Sequence, residues 1–214
     1  MKNLFGTMAL LALLGVSAAG AAEKKTDKTA KPQTAMAAQD PKMAEMMKMG
    51  APGENHKILS SFVGRWQHTG KFSMSADEKP QVSNGTSVNQ WILGGRFLQQ
   101  EAKGDMMGQP FDGLGYNGYD NMKGEYTSVW LDNMSTSIMT GSSQYDPATQ
   151  TFTETGTFAC PMTGEKNKPY RAILKILDKD HYSYEMFMKD KDGKEFKGME
   201  LQYTRMPASD NKGR

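Results

Sequence analysis

Gly64-Arg65-Trp66-Gln67-His68-Thr69-Gly70-Lys71-Phe72-Ser73-Met74 is the stretch that decides the fold. On an extended chain Trp66, His68, Gly70, Phe72 and Met74 fall on one side, and Gln67, Thr69, Lys71 and Ser73 on the other. A half-buried antiparallel strand requires this period of two, because successive side chains point to opposite faces of a sheet. Upstream the period is helical. Good helix formers fill residues 42–50 and are stopped by Gly50 and Pro52, and Ile58, Leu59 and Phe62 share one face of a second short helix over 54–62.

Downstream of Met74 the alternation recurs in short runs, around 85–92, 95–102, 111–119, 126–132, 136–145, 151–158, 170–177, 182–189 and 196–205. The joints between them carry turn chemistry: Gly94-Gly95, Asp120 to Gly124, Asp146-Pro147, Asp178 to Asp180 and Asp190 to Gly193. Each places Gly, Pro, Asn or Asp where the backbone must reverse. About ten short strands with tight turns and no long helix between them make a meander, and so many strands must curl or close to protect their edges. The expected fold is mainly β, a single antiparallel up-and-down barrel of about ten strands, lipocalin-like, preceded by short N-terminal helices.

Two ends of that expected barrel meet. Gly64-Arg65-Trp66 opens the first strand and Tyr203-Thr204-Arg205 closes the last, so a structural seam of Trp66 under the Arg205 guanidinium would be a cation-π contact worth about 0.5 to 2 kcal/mol. The pattern resembles the glycine-x-tryptophan start and terminal arginine of lipocalins and their barrel relatives.

The 214 residues divide into one domain and its attachments. Lys2, the apolar run from Leu4 to Val16 and the small residues Ser17 to Ala22 follow the order of a secretory signal peptide over 1–21, cleaved near Ala21. The apolar run is well short of the roughly 20 residues that cross a bilayer, so no membrane anchor is expected after cleavage. No cysteine stands at the cleavage point for lipid attachment. Residues 22–42 are too poor in apolar side chains to offset their ordering entropy and read as a disordered linker. Residues 43–206 form the domain and 207–214 a polar tail. The expected location is periplasmic or secreted.

Charge and cysteine usage exclude some functions. The net charge of +2 comes from the leader and the lysines of 22–50, leaving the folded part near neutral. Nucleic-acid binding, which needs a basic stripe against phosphates, is therefore excluded. The single cysteine, Cys160, permits no internal disulfide, so packing must supply stability, and it has no histidine nearby in sequence to make it a nucleophile.

Four motifs in order resemble the bacterial domain-of-unknown-function family 1579: Trp91 to Phe97, Met107 to Phe111, Gly118 to Asn121 and Trp130 to Thr136. The likeness spans most of 43–206, including the methionine-rich lead-in and Tyr203-Thr204-Arg205. It implies no activity and offers no catalytic residues.

The candidate ligand-binding residues are those the alternation sends inward. Trp66, His68, Phe72 and Met74 come from the first strand, with Trp91, Phe97, Tyr116, Trp130, Tyr184 and Met186 from later ones. An aromatic lining with a few polar groups suits a small, largely apolar ligand, bound without catalysis and without a cofactor. A second reading is a hydrolase or isomerase that pairs His68 with an inward carboxylate, the candidates being Glu101, Asp132, Glu185 and Glu200 with Arg96, Arg171 and Arg205 as partners. A third is a haem or Cu(I) carrier, through His68 or through Met43, Met46, Met47 and Met49. The methionine stripe equally suits a helix laid across a barrel mouth. His56, His68 and His181 are too scattered in sequence to mark a metal site. Gly113 to Gly118 leads into a turn rather than a helix, which argues against a phosphate loop.

Overall fold

The computed structural model describes residues 40–106, 108–161 and 163–207. The expected signal peptide, nearly all of the expected linker and residues 208–214 of the tail lie outside them. Glu45–Arg214 forms one compact unit.

The first helix, α1 (Pro41–Met49), begins slightly earlier than the sequence suggests. Asp40 stands before it and accepts the Lys42 amide at 2.9 Å, and Pro41 at the first helical position gives up no hydrogen bond. A second helix, α2 (Glu54–Ile58), passes directly into a 3-10 turn over Leu59–Phe62. His56 caps α2 from inside, its Nδ1 accepting the Gly53 amide at 3.1 Å.

Ten strands follow: β1 (Gly64–Phe72), β2 (Gln81–Ile92), β3 (Phe97–Met106), β4 (Gln109–Asp120), β5 (Glu125–Asp132), β6 (Met139–Asp146), β7 (Thr151–Cys160), β8 (Glu165–Ile176), β9 (His181–Lys189) and β10 (Glu195–Arg205). Each pairs antiparallel with its sequence neighbours, and β1 pairs with β10, so the meander closes into a barrel with no free edge. The turns use side-chain acceptors as expected. Asp120 Oδ1 takes the Met122 and Lys123 amides at 2.9 and 3.0 Å, and Asp190 Oδ1 takes those of Asp192 and Lys194 at 2.9 Å each.

Closure rests on the seam. Trp66 and Arg205 are register partners, and the Arg205 guanidinium lies 4.0 Å from the Trp66 ring centroid. Arg205 also donates to the carbonyls of Val63, Ser61 and Lys179 at 2.6, 2.9 and 2.9 Å, tying the 3-10 turn and the β8–β9 turn to the last strand. Gly64 precedes this contact at φ +123°, where a Cβ would stand 2.8 Å from an Arg205 nitrogen. Only glycine meets both conditions cheaply.

The core is divided along the barrel axis. At the end where β1 starts, Leu59 and Phe62 enter the barrel and pack with Trp66, Leu98, Tyr126, Phe152, Tyr182 and Tyr203. That end is therefore closed by apolar side chains, each worth roughly 1.5 to 3 kcal/mol of burial. Towards the opposite end a smaller cluster gathers around Tyr170, Ala172 and Met186, with Met139, Phe158, Met188 and Met199 only partly buried against it. The methionines of α1 do not seal this second end. Met43, Met46, Met47 and Met49 are all exposed, and the segment after the helix is held at the closed end, by Asn121 on the Met49 and Ala51 carbonyls and by Arg96 on that of Gly50.

Candidate functional site in the barrel lumen

Strand register decides which side chains share the lumen. β5 contributes Ser128 and Trp130, β6 Met139 and Gly141, β7 Glu154 and Gly156, β8 Tyr170 and Ala172, and β9 Tyr184 and Met186. Where these strands adjoin, the Tyr170 hydroxyl donates to Glu154 Oε1 at 2.6 Å, and the Ser128 hydroxyl bonds the same carboxyl group. Burial raises the Glu154 carboxyl above the usual carboxylate range, and these two hydrogen bonds only partly offset it. Tyr170 is raised in turn, by its own burial first and then by the adjacent carboxylate.

Two glycines make the space for this pair. Gly141 and Gly156 are register partners on β6 and β7. A Cβ on Gly141 would stand 2.5 Å from the Tyr170 hydroxyl and 2.9 Å from Glu154 Oε1, and one on Gly156 would stand 2.6 Å from the Tyr170 ring. Glycine in a strand weakens it, and here it marks a close approach.

Tyr184 extends the polar group across the lumen. It packs against both apolar clusters and lies within electrostatic reach of Glu154, Tyr170 and Tyr203. Tyr203 in turn faces Gln100 and sits against His68, ring centroids 5.1 Å apart, with its phenol pushed up to about 12 by burial. His68 is seated over Gly85, where a Cβ would come within 2.6 Å of its Nε2. Its Nδ1 is buried with no hydrogen-bond partner, and burial lowers its pKa. A polar belt of Ser128, Glu154, Tyr170, Tyr184, Tyr203 and His68 thus separates the apolar end filled by Leu59 and Phe62 from an end where Met139, Phe158, Met188 and Met199 are only partly buried.

Most of the residues expected inside are there. Trp66, Trp91, Tyr184 and Met186 pack in the two clusters, and His68, Phe72 and Trp130 lie on the inward faces of β1 and β5. Three do not line the lumen. Phe97 and Tyr116 point outward: Phe97 sits over Gly118 on the outer face, and Tyr116 alternates with the inward Gly115. Met74 lies beyond the end of β1 and is exposed. In β3 and β4 the residue of opposite parity is the inward one, Leu98 against Trp91 and Gly115 against Trp130, so a large ring at an alternating position does not by itself mark the lumen face.

Three of the carboxylates singled out from sequence are placed elsewhere. Glu101 is exposed and accepts from Gln99, while Glu185 and Glu200 hold Lys197 on the outer surface. Asp132 shares the inward parity of Trp130 but stands at the end of β5, where it accepts the Trp130 indole N–H at 2.9 Å and caps the following turn. The carboxylate deeper in the lumen is Glu154, which sequence reading missed. Its signal was present, since Phe152, Glu154, Gly156 and Phe158 share one parity in the expected strand 151–158. Glu154 is four strands from β1 around the barrel, and no hydrogen bond joins it to His68. Arg96 and Arg171 stay outside, Arg96 on backbone carbonyls and Arg171 over Phe187 and on Glu195.

Gly113 to Gly118 forms part of β4 rather than a loop, with Gly113 and Gly115 beneath the Trp130 ring. Among the described residues, no group of three or more His, Cys, Asp or Glu side chains could hold a metal ion. Two hollows lie outside the lumen's interior. One of about 400 Å³ sits at the rim, between Ser135–Ser137 and the β7–β8 turn. Another of about 440 Å³ lies over Gln67, Thr69, Thr86 and Gln202, and His68 and Gly85 are part of its lining.

The family model described as a protein of unknown function, DUF1579, matches residues 51–205. The chain belongs to this family. The match begins just after α1 and ends on Arg205, so the DUF1579 unit coincides with the closed barrel and its plugging turn. No curated protein matches the chain. Among solved structures it is similar to Rv2717c from M. tuberculosis, at 15% identity and a TM-score of 0.57, over 73% of this chain and 100% of that one. That likeness is one of fold. Two redesigned β-barrels are more distant: b11L5F_LGL at 18% identity and TM-score 0.39, covering 70% of this chain and 96% of that one, and mFAP1, solved bound to DFHBI, at 18% and 0.37, covering 72% and 100%.

Proposed function

We propose that this DUF1579 protein is an exported binding protein that takes a small, largely apolar molecule into the half of its barrel away from Leu59 and Phe62. The observation that carries the reading is the asymmetry of the lumen. One end is filled by Leu59 and Phe62, whereas the other presents partly buried Met139, Phe158, Met188 and Met199 above a belt of a few polar groups. Ligand sites combine apolar walls with a small number of placed polar atoms, and thioethers adapt to varied shapes. Export agrees with the signal-like leader of 1–21.

Native mass spectrometry of protein purified from its own host, together with titration by the apolar fluorophore N-phenyl-1-naphthylamine, tests this reading. A retained mass or saturable one-to-one fluorescence enhancement, lost in Met186→Trp, is expected. No retained mass and no saturable enhancement would remove it.

A further inference from the structure

Among the described residues, Glu154 is a charged side chain turned towards the middle of the lumen that forms no ion pair; Asp132, at the end of β5, is taken up by the Trp130 indole and its own turn. Arg205 is committed at the closed end to Trp66, three carbonyls and the Asp180 carboxylate. Lys168, buried on β8, has its ammonium on Glu165 Oε2 at 2.8 Å at the rim. Glu154 meets only hydroxyls: Tyr170 donates at 2.6 Å, Ser128 lies beside it, and Tyr184 is within electrostatic reach. No lysine or arginine among the described residues forms an ion pair with it.

Glu154 is half-buried, and drawing a carboxylate even partly out of water is costly without a partner of opposite sign. The fold nonetheless builds around it, with Gly141 and Gly156 giving up side chains so that Tyr170 can reach Glu154. Hydroxyl donors fix the carboxylate's orientation without neutralising it. They leave the charge to be matched by something that enters from the end opposite Leu59 and Phe62, where Met139, Phe158 and Met188 are only partly buried and the Lys168 ammonium is held on Glu165.

We propose that Glu154, oriented by Tyr170 and Ser128, is the head-group site of the barrel, and that it selects amphiphiles bearing a protonated amine over those bearing a carboxylate. This deepens the ligand-binding reading and rests on it. An ammonium head would place up to three N–H donors against the carboxylate, a charge-assisted contact of the stronger kind. A carboxylate head would set like charges together in a poorly hydrated space. Burial raises the Glu154 carboxyl, and an entering cation reverses that shift.

Three probes with the same apolar chain separate the outcomes: decylamine, decanol and decanoate, each displacing N-phenyl-1-naphthylamine from the purified protein at pH 7, below its micellar concentration. Decylamine is expected to bind at least tenfold more tightly than decanoate, with decanol between them. Glu154→Gln is expected to bring the three within about threefold while leaving decanol unchanged. Tyr170→Phe, which keeps the charge, is expected to preserve the order. If all three bind alike to the unaltered protein, or decanoate binds best, the head-group assignment fails while the binding reading stands. If the fluorophore and all three probes fail to bind, both fail. The ranking on the unaltered protein decides even if Glu154→Gln does not fold.

Discussion

The Arg205 guanidinium lies 4.0 Å from the centroid of Trp66, its register partner across the β1–β10 seam. The indole is 1% exposed and its own N–H is spent on the Phe62 carbonyl at 2.8 Å, so the ring is fixed from below before the guanidinium covers it. The last strand, the first strand and the plugging turn are thereby joined at one point. In an up-and-down barrel this junction is also the contact of greatest sequence separation, and the slowest kind to form.

Truncating that junction should be expensive. Arg205→Ala removes the cation-π contact and leaves three carbonyls without their donor, for an expected loss of about 2 to 4 kcal/mol in urea unfolding. Arg205→Lys should recover less than half, because an ammonium cannot serve three carbonyls in the planar geometry of the fork. A loss under about 0.5 kcal/mol for Arg205→Ala would mean that closure does not depend on the seam.

The glycine pair under Tyr170 makes a second demand. In Gly156→Ala the new methyl meets the Thr140 carbonyl and stands 2.6 Å from the Tyr170 ring. Neither backbone nor a packed aromatic yields easily, so the expected cost is about 1 to 3 kcal/mol. Gly141→Ala should weaken the protein less but displace the Tyr170 hydroxyl from Glu154. Tyrosine absorbance near 295 nm across an alkaline titration reads that displacement, since the adjacent carboxylate contributes to holding Tyr170 protonated.

Much of this architecture was legible because it depends on parity. Ten alternating runs and their Asp and Gly turns point to ten strands, and the two ends marked by Trp66 and Arg205 do meet. What parity alone misjudged was the face of two rings, Phe97 and Tyr116: the inward neighbours are Leu98 and Gly115, and only the pairing of β3 with Trp91 and of β4 with Trp130 shows which parity of each strand faces in. Glu154 was passed over for a different reason. Its inward parity was readable, but its partners Tyr170 and Ser128 come from β8 and β5, and only the closed register brings them to it.

Glu154 should leave a signature in the pH dependence of stability. Burial raises its carboxyl, so the native chain holds that proton more tightly than the unfolded chain does. Stability therefore falls as pH rises from the ordinary carboxylate range through the raised value. Glu154→Gln removes this slope while keeping an acceptor for Tyr170. Relative to the unaltered protein it should gain in melting temperature at neutral pH, and the gain should vanish below about pH 4. A variant that loses ground equally at both pH values would show that the carboxylate is not held at a cost.

The histidines act in the opposite sense. His68 is lowered by burial, and His56 by burial first and then by the nearby Arg96 charge. In both cases the unfolded chain binds the proton more readily, so stability drops as pH falls below the ordinary imidazole value of about 6.5. NMR titration should find the His68 ring neutral at pH 7 and titrating below 6.5. His68→Gln should flatten part of the stability decline between pH 7 and 5, without shifting the decylamine preference that Glu154 sets. The same variant separates the binding protein from a catalyst built on His68. A His68 that titrates as a free imidazole would mean that the belt is hydrated around it, and any hydrolase or isomerase turnover abolished by His68→Gln would give the histidine a role in proton transfer that binding alone does not require.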